Sequence, residues 1–263
     1  MNASALTPTY DFRLVALSVV IAICASYAAL DLVGRITAAQ KNARVAWFIG
    51  GAIAMGTGIW SMHYTGMLAY HLPIPVYYHI PTVILSLAAA IGASFIALFV
   101  VSRPRINMLH VAAGSLVIAA GISGMHYIGM ASMRLAAMHH WDQTFVVLSM
   151  VIALVVALSA LGLASLFREE GEDRVLKGVC AIIMGIAIPA MHYTGMAAVS
   201  YTPMPEMLDM TNAMDISILA NTAIVVVTFI VIGSVFMFQR PTAAPKESAH
   251  PEALGKAAGQ GTF

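Results

Sequence analysis

The chain has 263 residues, 60% of them hydrophobic and 10% charged, with a formal net charge of +1. Soluble domains carry about a quarter charged residues, so the composition excludes an ordinary water-soluble globule and points to the membrane class. The small net charge says little by itself; how the charges are distributed says more.

Taken in chain order, apolar runs long enough to cross a bilayer fall at 14–33, 45–70, 82–101, 108–133, 144–167, 178–200 and 216–238. Backbone polar groups in lipid are satisfied only within helices or closed barrels, so each run is predicted to be a spanning helix. A cleaved signal peptide is the competing reading of the first run. That run is longer than a signal core and forms half of a repeated unit, so it counts as a span. Cys24 and Cys180 fall in different helices and imply no disulfide framework; both read as small buried apolar residues. The tail 239–263 is rich in Ala, Pro and Gly without apolar periodicity and reads as a disordered cytoplasmic end. No soluble output domain is expected in it.

Orientation follows from Lys and Arg, which gather in cytoplasmic loops. With the N-terminus outside, the inner segments hold Arg35, Lys41, Arg44, Arg103, Arg105, Arg168, Arg174, Lys177, Arg240, Lys246 and Lys256, and the outer ones only Arg13 and Arg134. The expected location is a bacterial cytoplasmic (inner) membrane, crossed several times, with the C-terminus inside.

The hexapeptide MHYTGM occurs at 62–67 and 191–196, and MHYIGM at 125–130. Its histidines, His63, His126 and His192, are 63 and 66 residues apart, each late in an even-numbered span. The odd spans echo one another more faintly, as in ASYAALDL from Ala25 and ASFIALFV from Ala93, with LSALGLASL from Leu158 as a weaker third copy. The unit is therefore two helices, repeated at about 14–70, 82–133 and 144–200, with 216–238 added as a seventh. The fold expected is an all-α membrane protein of seven transmembrane helices, with residues 1–238 as one domain. Two spans per unit make the repeats parallel, so the three motifs share one depth on the outer side. With the second span running to residue 70, about seven residues past His63, the imidazole lies about 10 Å inside the helix end.

Positions four apart share a helix face. His63 stands beside Met67, His126 beside Met130 and His192 beside Met196, while Met62, Met125 and Met191 lie about 100° round the helix. Gly66, Gly129 and Gly195 allow close helix approach. Tyr64, Tyr127 and Tyr193 suit the interfacial belt, where a hydroxyl can orient a ligand from behind. Imidazole plus thioether without carboxylate favours copper, particularly Cu(I); haem, ligated axially by His or Met, is the rival cofactor. Against both stands ordinary packing, since Met is a common core filler and a membrane His often bonds a neighbouring helix. Ionisable residues at this depth are nonetheless functional candidates, and the triplication favours ligation.

Four further histidines, His71, His79, His139 and His140, fall on the same side as the motifs, and only His110 and His250 on the other. The outer loop YTPMPEMLDMTNAMD places Met204, Met207, Met210 and Met214 at helical spacing. This predicts an interfacial amphipathic helix in preference to a capture site for soft metal.

Three MHYxGM copies in the even spans of a seven-span chain resemble the MHYT domain family. The resemblance covers about 14–238 and implies a bacterial integral-membrane sensor. In that family the Met, His and Tyr residues are proposed to bind copper near the outer face and to detect oxygen, carbon monoxide or nitric oxide. On this chain they are Met62, His63, Tyr64, Met125, His126, Tyr127, Met191, His192 and Tyr193. Many members continue into cyclase, phosphodiesterase, kinase or DNA-binding modules. This chain is expected to signal through a separate cytoplasmic protein, with the lipid bilayer as its surroundings and no nucleic acid partner. Membrane copper transport or delivery is the alternative. Asp31 is the only charged residue within the seven runs, so a carboxylate proton relay is missing. No nucleophile–base pair, carboxylate pair or phosphate loop stands out, and no enzymatic activity is expected.

Overall fold

The structure is a computed structural model describing residues 5–103, 107–167, 173–204 and 209–215. The expected seventh span, 216–238, and the tail, 239–263, lie outside the described residues. Six helices are described: α1 (Phe12–Ala38), α2 (Lys41–Leu68), α3 (Ile80–Val101), α4 (Met108–Ala131), α5 (Gln143–Leu166) and α6 (Arg174–Ala197). All six are long and apolar enough to cross a membrane. Their starts are written locally. Asp11, Asn107, Asp142 and Asp173 each accept a backbone N–H from the first turn of α1, α4, α5 and α6, which satisfies donors a helix start leaves unpaired. α3 carries Pro81 in its first turn, where a missing N–H costs nothing.

The helices form a closed ring in chain order, with α6 returning to α1, and the even helices α2, α4 and α6 also meet inside it. Lipid offers no hydrophobic drive for helices to associate, so close packing through small residues carries the assembly. At Gly56 a Cβ would strike the backbone of Ala90 and Ile91, and at Gly185 the backbone of Ile23. Outward faces carry exposed Ile84, Leu85, Val147, Val151, Val155, Ile182 and Ile186, a surface suited to acyl chains.

At the end where α2, α4 and α6 finish, the all-α expectation needs correcting. Among the described residues, seven short strands lie there: β1 (Thr9–Tyr10), β2 (Tyr70–His71), β3 (Tyr77–His79), β4 (Met133–Arg134), β5 (Ala137–Trp141), β6 (Val199–Pro203) and β7 (Ala213–Asp215). Pairing is antiparallel, β1 with β2, β3 with β4 and β7, and β5 with β6. Tyr, Val and Thr in these segments favour pleated pairing, and segments this short offer no helical apolar stripe. Where the Met-rich loop is described it is not helical: Val199–Pro203 and Ala213–Asp215 are extended and Met204 and Met210 lie outside either strand, while 205–208, with Met207, lies outside the described residues.

The ladders recur with the architecture. Three of them, β1–β2, β3–β4 and β5–β6, pair the strand leaving an even helix with the strand entering the odd helix before it. The N-cap residue of each odd helix donates its N–H to the C-cap residue of its partner: Asp11 to Ala69 O at 2.9 Å, His79 to Ser132 O at 2.8 Å and Asp142 to Ala198 O at 2.8 Å. α1 is thereby tied to α2, α3 to α4 and α5 to α6 at the motif end. At the opposite end Asp31 accepts from Arg35 at 2.7 Å and from Lys177 at 3.1 Å, clamping α1 to α6 where the ring closes.

Candidate metal centre

His63, His126 and His192 each stand five residues before the last residue of α2, α4 and α6. The second span ends at Leu68 rather than residue 70 because the chain leaves the helix for β2, so the imidazoles lie nearer the helix ends than expected. Equal placement on three helices brings the rings together on the bundle axis. All three are buried, at 0, 0 and 1% exposure. Their Nδ1 atoms form a triangle with sides of 3.0 Å (His63–His192), 3.2 Å (His126–His63) and 3.3 Å (His192–His126). Interplanar angles of 76°, 87° and 89° give the rings the pitch of a propeller.

The motif glycines explain how the rings fit. A Cβ on Gly129 would collide with Nε2 of His63, one on Gly195 with Nε2 of His126, and one on Gly66 with Nε2 of His192. Each glycine is the seat of the next helix's imidazole, in the cyclic order α2 on α4, α4 on α6 and α6 on α2. The same contacts orphan the outward nitrogens, and all three Nε2 atoms are buried without a hydrogen-bond partner. A neutral imidazole carries one N–H, on either nitrogen. With the proton on Nε2, three lone pairs converge on the axis, an arrangement that suits a cation; with one ring protonated on Nδ1 instead, that N–H donates to a neighbouring Nδ1. Three imidazoles bound tetrahedrally to one ion at 2.0–2.1 Å need nitrogens about 3.3–3.4 Å apart, within a few tenths of an ångström of the triangle present. His63, His126 and His192 are the one group of three or more His, Cys, Asp or Glu side chains among the described residues with ligand atoms this close.

The six motif methionines are buried but are not arranged alike. Met67, Met130 and Met196 lie with Met125 in one cluster at the motif end, beside Trp60, Tyr64, Tyr78 and Tyr201. Met62 packs with Ile21 and Ala22, and Met191 belongs to the apolar cluster of the bundle interior.

Each motif tyrosine ring stacks edgewise on its neighbouring histidine, with centroids 4.8–5.1 Å apart. Their hydroxyls turn to serines rather than to imidazoles. Ser18, Ser86 and Ser149 each donate to the carbonyl three residues earlier, so they accept from the tyrosines. Tyr193 meets Ser18 at 2.9 Å, Tyr64 meets Ser86 at 3.3 Å and Tyr127 meets Ser149 at 2.6 Å. These bonds latch α6 to α1, α2 to α3 and α4 to α5, the seams the ladders leave untied. The serines were missed in the sequence. Their available signal was a spacing of 22 residues after the motif tyrosine, present for Ser86 and Ser149 and lost for Ser18 because α1 precedes the first motif.

A lid of aromatic residues covers the triad. Burial pushes the hydroxyl of Tyr201 up to about 12 and raises those of Tyr70 and Tyr78, so all three stay neutral. His71, His79, His139 and His140 sit on the strands of this lid without joining the triad; His79 Nδ1 meets Thr82 Oγ1 at 2.8 Å and His140 Nε2 meets Thr202 Oγ1 at 3.0 Å.

The model of the MHYT repeat, described as a bacterial signalling protein N-terminal repeat, matches residues 1–46, 56–114, 120–176 and 185–247. Among curated proteins, the chain is 43% identical over 197 residues to the bifunctional diguanylate cyclase/cyclic di-GMP phosphodiesterase MucR of Pseudomonas aeruginosa, covering 74% of this chain and 29% of that one. It is 38% identical to the cyclic di-GMP phosphodiesterase NbdA of the same organism, over 72% of this chain and 24% of the relative. The signalling protein YkoW of Bacillus subtilis is 37% identical, over 73% of this chain and 24% of its own length. The match therefore spans under a third of each relative. No solved structure matches. With repeat matches along most of its length and six helices able to span a bilayer, the chain is a multi-pass membrane protein of the MHYT family of bacterial signalling proteins.

Proposed function

We propose that the chain is a membrane sensor that holds one metal ion, copper by the chemistry of its donors, between Nδ1 of His63, His126 and His192. The observation that carries this is the buried Nδ1 triangle with three orphaned Nε2 atoms behind it. With the protons on the outward Nε2 atoms, the three Nδ1 lone pairs point at one another and are free to bind an ion between them. Neutral imidazoles with no carboxylate suit copper among the first-row metals, and thioethers one turn further along, at Met67, Met130 and Met196, reinforce the soft character. Such an ion supplies a centre able to take a small diatomic molecule or to change oxidation state. The protein's own part is to hold the three rings at fixed pitch on glycine seats and to shield them with the tyrosine lid. Rings in mutual contact leave no slot for a porphyrin, which favours an ion over haem.

The basic residues support an orientation with the triad toward the outside. Arg35, Arg44, Arg103, Arg174 and Lys177 lie at the end opposite the motifs, and only Arg13 and Arg134 at the motif end, among the described residues. The inner membrane of a bacterium is the setting proposed. The signal, of which oxygen, carbon monoxide and nitric oxide are the candidates, is read at the cytoplasmic side by an output module. The names of MucR and NbdA make a cyclic di-GMP enzyme the first module to examine. Copper transport is the second reading. It is disfavoured because the space on the axis beyond the triad offers only the thioethers of Met55 and Met184 and the hydroxyl of Ser26, with no imidazole or carboxylate to relay a cation.

Metal analysis of the purified chain against a His63→Ala/His126→Ala/His192→Ala variant tests the reading. One copper per chain, lost in the variant, is expected; equal metal in both refutes it. A Soret band lost in the variant selects haem, and copper accumulation in vesicles selects transport.

A further inference from the structure

Directly along the axis from the triad, away from the tyrosine lid, lies a cavity of about 70 Å³. All six helices line it. Ile59, Ile122 and Ile188 stand four residues before the histidines, and Met55, Ile118 and Met184 eight before. The space thus lies about 6–12 Å from the imidazole tier at 1.5 Å rise per residue. Its width comes from the odd helices, where Ala29, Ala97 and Ala160 stand eleven residues past the latch serines Ser18, Ser86 and Ser149. Three alanines at one level leave a gap that larger side chains would close.

The lining has one hydroxyl, Ser26 Oγ, and no amide or charged group. Ser26 is 3% exposed and its hydroxyl has no partner. The equivalent serine of α3, Ser94, donates to Ala90 O at 2.8 Å instead. A buried water needs two to four polar partners, and one hydroxyl does not hold it. An apolar cavity of about 150 Å³ stays dry and takes benzene or xenon; half that volume has room for a molecule of two heavy atoms and none for a ring. Apolar gases enter such a space from the acyl-chain region without losing hydration.

We propose that this axial cavity is a binding site for one small apolar molecule, a diatomic gas, held between the triad and the opposite membrane face. Ser26 offers it a weak polar contact. The site exists independently of any metal, and only the gas as natural ligand rests on the sensing reading above. It makes a local store whose occupant is one to two helical turns from the imidazoles.

Crystals of the full chain pressurised with xenon test it. One xenon atom on the axis, ringed by Ala29, Ala97 and Ala160, is expected, both in metal-loaded and in chelator-stripped protein. Xenon elsewhere, or none, overturns the proposal and leaves the metal centre untouched. Ala97→Leu is expected to abolish the axial xenon while metal content and thermal midpoint stay unchanged. If that variant does not fold, Ala160→Leu replaces it. Axial xenon undiminished in a folded filling variant also refutes the site, and the wild-type crystal decides even if neither variant folds.

Discussion

At the scale of single residues, the motif is a seat and a ligand rather than a string of ligands. Gly129 accepts the His63 ring and cannot carry a Cβ without moving it, which a reading of glycine as mere close approach does not convey. Gly129→Ala is expected to tilt that imidazole off the axis, weaken metal binding at least tenfold and destabilise the bundle by about 1–3 kcal/mol, the usual cost of overpacking. Gly124→Ala, five residues earlier on α4, meets nothing within 4 Å and is expected to leave both unchanged. Metal titration and thermal unfolding of the two variants check the contrast. The methionines show the other limit of residue-level reading. Spacing alone makes Met62, Met125 and Met191 alike, whereas their neighbours differ.

At the scale of elements, two kinds of seam alternate round the ring. Ladders bind each odd helix to the even helix after it, and tyrosine–serine bonds bind each even helix to the next odd one. Hydrogen bonds between membrane helices contribute about 0.6 kcal/mol on average, up to about 1.7. A double-mutant cycle of Tyr193→Phe and Ser18→Ala, which probes the bond closing α6 on α1, is expected to give a coupling in that range. A coupling of zero means the bond does not hold the seam. At the other end Asp31→Ala leaves Arg35 and Lys177 without their shared acceptor, and a loss of about 1.5–3 kcal/mol follows from hydrogen bonds to a charged group. Denaturation in detergent measures both.

At the scale of the whole molecule, the lid and the bundle have different chemistries. The lid depends on buried tyrosines remaining neutral. Tyr201 is raised to about 12 by burial, above the unfolded value of about 10. Its contribution is therefore complete below about pH 10 and is lost as pH rises toward 12. Tyrosinate absorbance in the native protein is expected to lag behind that of the denatured protein across this window, and coincident curves would show the lid to be open to water.

Membrane class, the first six span positions and the triplicate motif were legible in the chain because each is a local or periodic property: hydropathy over some twenty residues, and identity at fixed spacing. That the three histidines lie at one level followed from an even number of spans per unit. Three things needed the folded chain. Whether the rings face one another depends on helix rotation, set by glycine contacts between residues 66, 69 and 126 positions apart in the chain. The serine latch on α1 depends on ring closure, which joins the first helix to the last. The strands over the triad depend on pairing partners that no local window contains. Sequence carries what a segment can do in a bilayer; only packing decides which side chains share an axis.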